Sequence, residues 1–292
     1  MAGNGDVIVV FGGTGQQGGA VARELLRRGR TVRAVVRDPE SEKARALAEA
    51  GAELARGDME DAASLDEALR GAYGVYSVQP FAGPDGLEGE VRQGRAVADA
   101  AARAATPHFV YSSVGGAERD SKVPHFESKR KVEQHIEELG LPATVLRPTF
   151  FMSNFRGMGP VPVHEGAEEL VLTLAMEPGV PLQMIAVEDI GVFAADAFED
   201  PDRHLGRRVE LAGDELTGAQ MAEIFSEIAG RPVRFASQPL AELRAGSEEM
   251  ALMFDWFNKH GYRADIPALK EAHPELITLE AWLRRNWSGP RG

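Results

Sequence analysis

The chain has 292 residues, 43% hydrophobic and 26% charged, a globular balance long enough for one large domain and a smaller lobe. Its net charge of −13 repels phosphate backbones and anionic headgroups, which argues against direct nucleic-acid binding and a membrane-surface role. With no cysteine there are no disulfides, thiolate nucleophiles or cysteine-ligated zinc, and the seven histidines show no ligand pairing, so no metal site is expected.

The opening "MAGNGD" lacks a basic region followed by an apolar stretch, and no apolar run is long enough to span a bilayer. The chain is therefore expected in the cytoplasm. Residues 6–11 (DVIVVF) form a β-branched run ending in glycines, and Val21, Leu25 and Leu26 recur at helical spacing over 16–29. The unit reads strand, turn, helix. "TVRAVV" predicts a second strand, residues 40–50 a helix, "AELA" a third strand, then a helix and the strand "GVYSV" at 74–78. An alanine-rich helix around 88–104, the strand "HFVYS" at 108–112, a helix around 125–139 and the strand "ATVLR" at 143–147 continue the series. Such alternation implies an α/β fold, a doubly wound parallel sheet with helices on both faces.

Beyond residue 150 the alternation is lost. "RGMGPVPVHEG" reads as a loop, followed by a helix at 188–199, a strand near "RRVELAG", a helix at 217–229 and the strand "PVRFA". The expected division is a sheet domain over 1–150 and a smaller α/β lobe for substrate or partner over 151–292. Part of that second segment, about 183–211, is expected to return to the sheet. "MALMFDWFNKHGY" (250–262) is open to three readings: partner surface, lid over a cleft, or core, the commonest fate of apolar stripes at helical spacing.

A dinucleotide pyrophosphate needs backbone N–H groups aimed at it from a helix N-terminus, without side chains in the way. The spacing Gly12-x-x-Gly15-x-x-Gly18, a variant of G-x-G-x-x-G, lies between a predicted strand and a predicted helix. That context favours cofactor binding over glycines that merely end a strand. Gly12 supplies the tight turn, Gly15 the close approach and Gly18 the helix packing, with Thr14 and Gln16 over the phosphates and Gln17 beside them. At the end of the second strand, where NAD sites place an acid, stands Arg37, with Arg33 earlier on the strand. A guanidinium there grips a 2′-phosphate, so NADP(H) is the expected cofactor; the alternative is a solvated arginine beside Asp38. After the third strand, Asp58 accepts from the adenine amino group while Met59 covers the ring, or else Asp58 caps the helix that "DMED" starts.

These residues resemble the NmrA-like family, atypical members of the extended short-chain dehydrogenase/reductase superfamily with an NAD(P)-binding Rossmann fold. The resemblance covers most of the chain and rests on "VVFGGTGQQGGAVARELL", "AVVRDP", "GAELARGDMED", "YSSVGG", "HFESKRKVEQHI" and "LRPTFFMSNF". Ordinary members of that superfamily use Tyr-x-x-x-Lys, in which lysine holds the nicotinamide ribose and lowers the tyrosine's pKa. Here the string is "HFESK": His125 stands in the tyrosine's place and Lys129 keeps its own. Helical spacing puts 125, 129, 132, 136 and 139 on one inward stripe with Val132, Ile136 and Leu139. Lys129 then needs acceptors, which a ribose supplies, unless its stem snorkels to the edge. His125 is either a general acid or a packed polar residue. Ser112 and Ser113 resemble the superfamily's substrate-carbonyl serine or cap the turn before "VGG".

The resemblance further implies Gln79, Pro80 and Phe81 near the ribose and nicotinamide, and the backbone around Phe151 to Asn154 at the nicotinamide end. It implies one of two functions. The first is an NADP(H)-binding, redox-responsive regulator that lacks the usual tyrosine and reports to a protein partner. The second is an NADPH-dependent reductase of a small aromatic, quinone or carbonyl substrate in which Lys129 or His125 moves the proton. A scaffold without cofactor is disfavoured because Gly12, Gly15, Gly18 and Arg37 are all present. A homodimer is compatible with either function.

Overall fold

In the computed structural model, residues 6–164 and 167–289 are described; the first five residues of "MAGNGD", and Glu165 and Gly166 at the end of the expected loop, lie outside them. Alternation begins with β1 (Val7–Val10), α1 (Gln16–Arg27), β2 (Thr31–Val36), α2 (Glu42–Glu49), β3 (Glu53–Arg56) and α3 (Ala62–Ala68). It continues through β4 (Ala72–Ser77), α4 (Gly86–Arg103), β5 (His108–Ser112), α5 (Pro124–Glu138) and β6 (Ala143–Pro148). Then come β7 (Phe150–Phe151), α6 (Phe155–Met158), β8 (Val161–Pro162), β9 (Leu170–Leu174), β10 (Pro181–Ile185), α7 (Val187–Glu199), α8 (Pro201–His204) and β11 (Arg208–Leu211). The chain ends with β12 (Asp214–Thr217), α9 (Gly218–Ala229), β13 (Val233–Ser237), α10 (Leu240–Gly246), α11 (Glu248–Lys259), α12 (Ile266–Ala272) and α13 (Leu279–Asn286).

By its own contacts the chain divides into two units: residues up to Asp120 with Pro124–Arg147 and Val187–Val209, and Ser121–Val123 with Pro148–Ala186 and everything from Glu210 on. In the first, a seven-stranded sheet runs β11-β6-β5-β4-β1-β2-β3. β1 pairs in parallel with β2 on one side and β4 on the other, so the winding direction reverses between β1 and β4. That switch opens a crevice at the carboxyl ends of the two strands, from which the glycine turn and the segment after Ser77 both leave. β1 holds the centre because it is apolar on both faces, with Ile8, Val9 and Val10 fully buried.

Helices cover both faces. α7 lies close on α1: a Cβ at Gly191 would stand 2.8 Å from the Ala20 carbonyl oxygen. At the end of α1, Arg28 donates to Asp196 and Glu199 of α7, each at 2.7 Å. On the opposite face Val97, Ala101, Val132 and Ile136 pack with Phe109 and Tyr111 into one apolar cluster. Leu139 departs from the expected inward stripe and is 37% exposed, because α5 ends at Glu138 and the chain turns away.

The second unit holds two three-stranded sheets, β12-β10-β7 and β13-β9-β8. Part of the expected loop is ordered as α6 and β8, and β9, β10, α10, α12 and α13 were not anticipated. Strands of two to five residues are too short for a period to emerge, and partners such as β9 and β13 are far apart in sequence. The Met and aromatic cluster is core: Met253, Phe254, Trp256 and Phe257 are all buried, with Phe254 and Phe257 edge to face at 5.5 Å. Among the described residues no helix is long and apolar enough to cross a membrane, and no three acidic or histidine side chains are grouped to hold a metal ion.

Candidate functional site

The glycine turn begins at Gly12, whose φ of +68° lies in the left-handed region that favours glycine. The Gly15 N–H donates to the Gly12 carbonyl at 2.8 Å and closes the turn. Gly15 is the N-cap of α1, with extended backbone, no side-chain cap and no acid in the first helical turn. The N-cap residue of this twelve-residue helix therefore offers no side chain to the first N–H groups, and the helix dipole adds positive potential there. A Cβ at Gly18 would lie 2.4 Å from the Gly12 oxygen, so only glycine lets the helix rise this close to the strand end. Thr14 is half-buried and Gln16 exposed. Gln17 instead turns toward β5, where its Oε1 accepts from Ser112 Oγ at 2.6 Å.

Arg37, the first residue after β2, is exposed, and its side chain makes no ion pair or hydrogen bond among the described residues. Asp38 is occupied elsewhere, its Oδ1 accepting the Glu40 N–H at 2.9 Å. Arg33 is committed to structure: it donates to Glu53 at 2.9 Å and to the carbonyls of Ala68 and Arg70 at 2.9 and 3.0 Å. Asp58 is exposed and its carboxylate accepts the Glu60 N–H at 3.0 Å, while Asp61 caps α3 through the Ala63 N–H at 3.1 Å. The helix-cap reading of "DMED" thus passes from Asp58 to Asp61. Met59 is half-buried, its sulfur 3.7 Å from Gln79 Nε2.

Gln79 is buried after β4; its Nε2 donates to Ser77 Oγ at 2.9 Å, and its Oε1 has no hydrogen-bond partner. Pro80 is exposed, and Phe81, 43% exposed, stacks on the His125 ring at 5.0 Å and 22°. His125 also meets Phe126 edge to face at 4.8 Å. Ser113 Oγ is buried without a partner. Lys129 is buried one turn beyond His125, with its Nζ 2.7 Å from Glu90 Oε1. That oxygen makes no aligned hydrogen bond, so the contact is electrostatic, while Glu90 Oε2 accepts from Ser128 Oγ. Phe151, on β7, and Asn154, in a 3-10 turn before α6, are both half-buried in the second unit.

The model of the NmrA-like family matches residues 4–283. The chain belongs to the NmrA-like family. It is 30% identical over 267 residues to an NmrA-like family domain-containing protein of Dictyostelium discoideum, covering 87% of this chain and 88% of that one. It is also 31% identical to an NAD(P)H azoreductase of Xenophilus azovorans, over 84% and 82% of the two chains. Among solved structures, NmrA, a negative transcriptional regulator in complex with NADP, superposes with a TM-score of 0.82 at 22% identity, covering 98% and 96% of the chains.

Two buried acids of this NmrA-like chain escaped the sequence reading. Glu90 lies on the stripe 90, 94, 97 and 101 of α4, and an acid on an otherwise small and apolar stripe was the available signal. Glu133 of α5 accepts from Arg147 Nε at 3.0 Å and Nη2 at 2.7 Å, and Arg147 also reaches Glu118 at 2.8 Å. Between the two acids, burial and the negative charges of Glu90 and Glu133 push the Tyr111 hydroxyl well above its ordinary value, so it stays protonated.

Proposed function

We propose that this NmrA-like protein binds NADP(H) in its first unit and acts as a redox-responsive regulator in the cytoplasm, reporting to a protein partner. The observation that carries the binding reading is the uncapped, acid-free start of α1 together with Arg37 free of any partner acid. The residues present fit the group. Backbone N–H groups in the first turn of α1, beyond Gly15, would take the pyrophosphate, and Arg37 the 2′-phosphate. Asp58 and Met59 would border the adenine, and Gln79, Pro80, Phe81 and Lys129 would line the ribose and nicotinamide. Its nicotinamide ring, when bound, supplies or accepts a hydride.

Support for a regulator comes from the proton-handling groups. A histidine replaces the tyrosine at 125, and Lys129, the remaining partner of that motif, is paired with Glu90. The second reading is an NADPH-dependent reductase of a small aromatic, quinone or carbonyl compound, favoured by the relative named as an azoreductase. In that reading half-buried His125 donates the proton and Phe81 orients the acceptor. Calorimetric titration with NADPH, NADP⁺ and NADH side by side separates the two. Preference for NADPH over NADH supports the Arg37 assignment, and a further tenfold gap between NADPH and NADP⁺, about 1.4 kcal/mol, gives a regulator its signal. No binding of any of the three overturns both readings.

A further inference from the structure

We infer that Glu90 is a positioning residue for Lys129, fixing the ammonium where it holds the nicotinamide-side ribose; this rests on the dinucleotide reading above. Glu90 is fully buried on α4, in a place where an unpaired carboxylate is strongly disfavoured. Both of its oxygens are engaged by consecutive residues of α5: Oε1 by Lys129 Nζ at 2.7 Å and Oε2 by Ser128 Oγ. The carboxylate is thereby locked against rotation.

The spacing of the two helices is itself set by the missing side chain at Gly94, against which Val132 packs. One turn beyond Glu90, a Cβ at Gly94 would stand 2.7 Å from Val132 Cγ2 and 3.2 Å from Gln79 Oε1. Only glycine admits this approach, which brings α4, α5 and the segment after β4 together at the crevice. Lys129 thus has its head placed by a buried partner, and an ammonium has three N–H groups, more than one carboxylate oxygen takes up. A lysine so restrained loses little freedom on meeting a ribose hydroxyl, which is how preorganisation strengthens binding.

The test titrates NADPH and its adenosine half, 2′,5′-ADP, into wild type, Glu90→Gln, Lys129→Met and the double variant. The expected result is that Glu90→Gln weakens NADPH about tenfold while 2′,5′-ADP, held at the glycine turn and Arg37, changes less than about twofold. In the Lys129→Met background, Glu90→Gln is expected to have no further effect, a non-additivity that a merely structural role would not produce. Unchanged NADPH affinity in Glu90→Gln, the same loss on both backgrounds, or an equal loss of 2′,5′-ADP each overturns the inference. Should Glu90→Gln fail to fold, Glu90→Leu/Lys129→Met replaces the pair by apolar groups of similar volume. It should bind 2′,5′-ADP normally and NADPH as weakly as Lys129→Met; NADPH affinity at the wild-type level overturns the inference. Wild type that binds neither nucleotide overturns the dinucleotide reading and this inference with it, whereas intact binding indifferent to Glu90→Gln overturns this inference alone.

Discussion

Replacing Gly18 by alanine puts a Cβ 2.4 Å from the Gly12 oxygen, 2.5 Å from the Gly12 carbonyl carbon and 2.7 Å from the Phe11 oxygen. All three are backbone atoms, so no side chain can swing away. Restoring even a 3.0 Å contact requires the start of α1 to move off the strand end by at least about 0.6 Å. Overpacking of this kind costs about 1–3 kcal/mol, and a mid-range cost near 2 kcal/mol lowers the melting temperature by roughly 4–8 °C. The same movement displaces the N–H groups of the first helical turn. Losing one charge-assisted hydrogen bond costs about 1.5–3 kcal/mol, so NADPH should bind at least about tenfold more weakly. Scanning calorimetry and NADPH titration read the two effects. Gly246→Ala, at an exposed position with nothing within 4 Å, is the control and should be neutral within about 0.5 kcal/mol. A Gly18→Ala protein that melts within about 1 °C of wild type and binds NADPH unchanged would refute the close-approach argument.

Arg37→Ala should weaken NADPH roughly 10- to 100-fold and leave NADH untouched; equal losses for both would remove Arg37 from 2′-phosphate recognition. Glu133→Gln leaves Arg147 without its bidentate partner and should cost about 3–5 kcal/mol in urea unfolding, whereas Glu133→Leu/Arg147→Met recovers much of that loss. A cost below about 1 kcal/mol would mean the pair supports nothing. Burial, with the charge of His204 adding, pushes His108 down to about 4, below its ordinary value near 6.5. Its neutral form is therefore the folded one: the contribution is complete above about pH 6.5 and falls away as pH drops toward 4, by about 3 kcal/mol in all. Comparing wild type with His108→Asn in urea at pH 7 and pH 4.5 isolates this, and a stability difference that stays constant between the two pH values would contradict it.

Strand and helix alternation up to residue 148 was legible because burial on a sheet or helix face leaves a local period of two or 3.6 residues, and β5 matches its expected bounds, residues 108–112. Glycine spacing marked the tight turn for the same local reason, since a left-handed φ at Gly12 and a contact only six residues away at Gly18 belong to one short stretch. Arg37 was legible as the residue that follows β2. Local pattern could not say which partners meet across the fold. Gln17 reaches Ser112, 95 residues on; Lys129 pairs with Glu90 on another helix; Asp61 takes the cap that Asp58 was given; and α5 stops before Leu139 can turn inward. In the second unit, strands of two to five residues find partners as distant as β9 and β13, and no period can form in so few residues. The sequence by itself determined the alternating segments up to residue 148 and where the glycine turn lies, because propensity and periodicity are properties of neighbours. Only the tertiary structure decided which charges face one another, because a buried ion pair depends on the approach of two helices that the chain does not encode side by side.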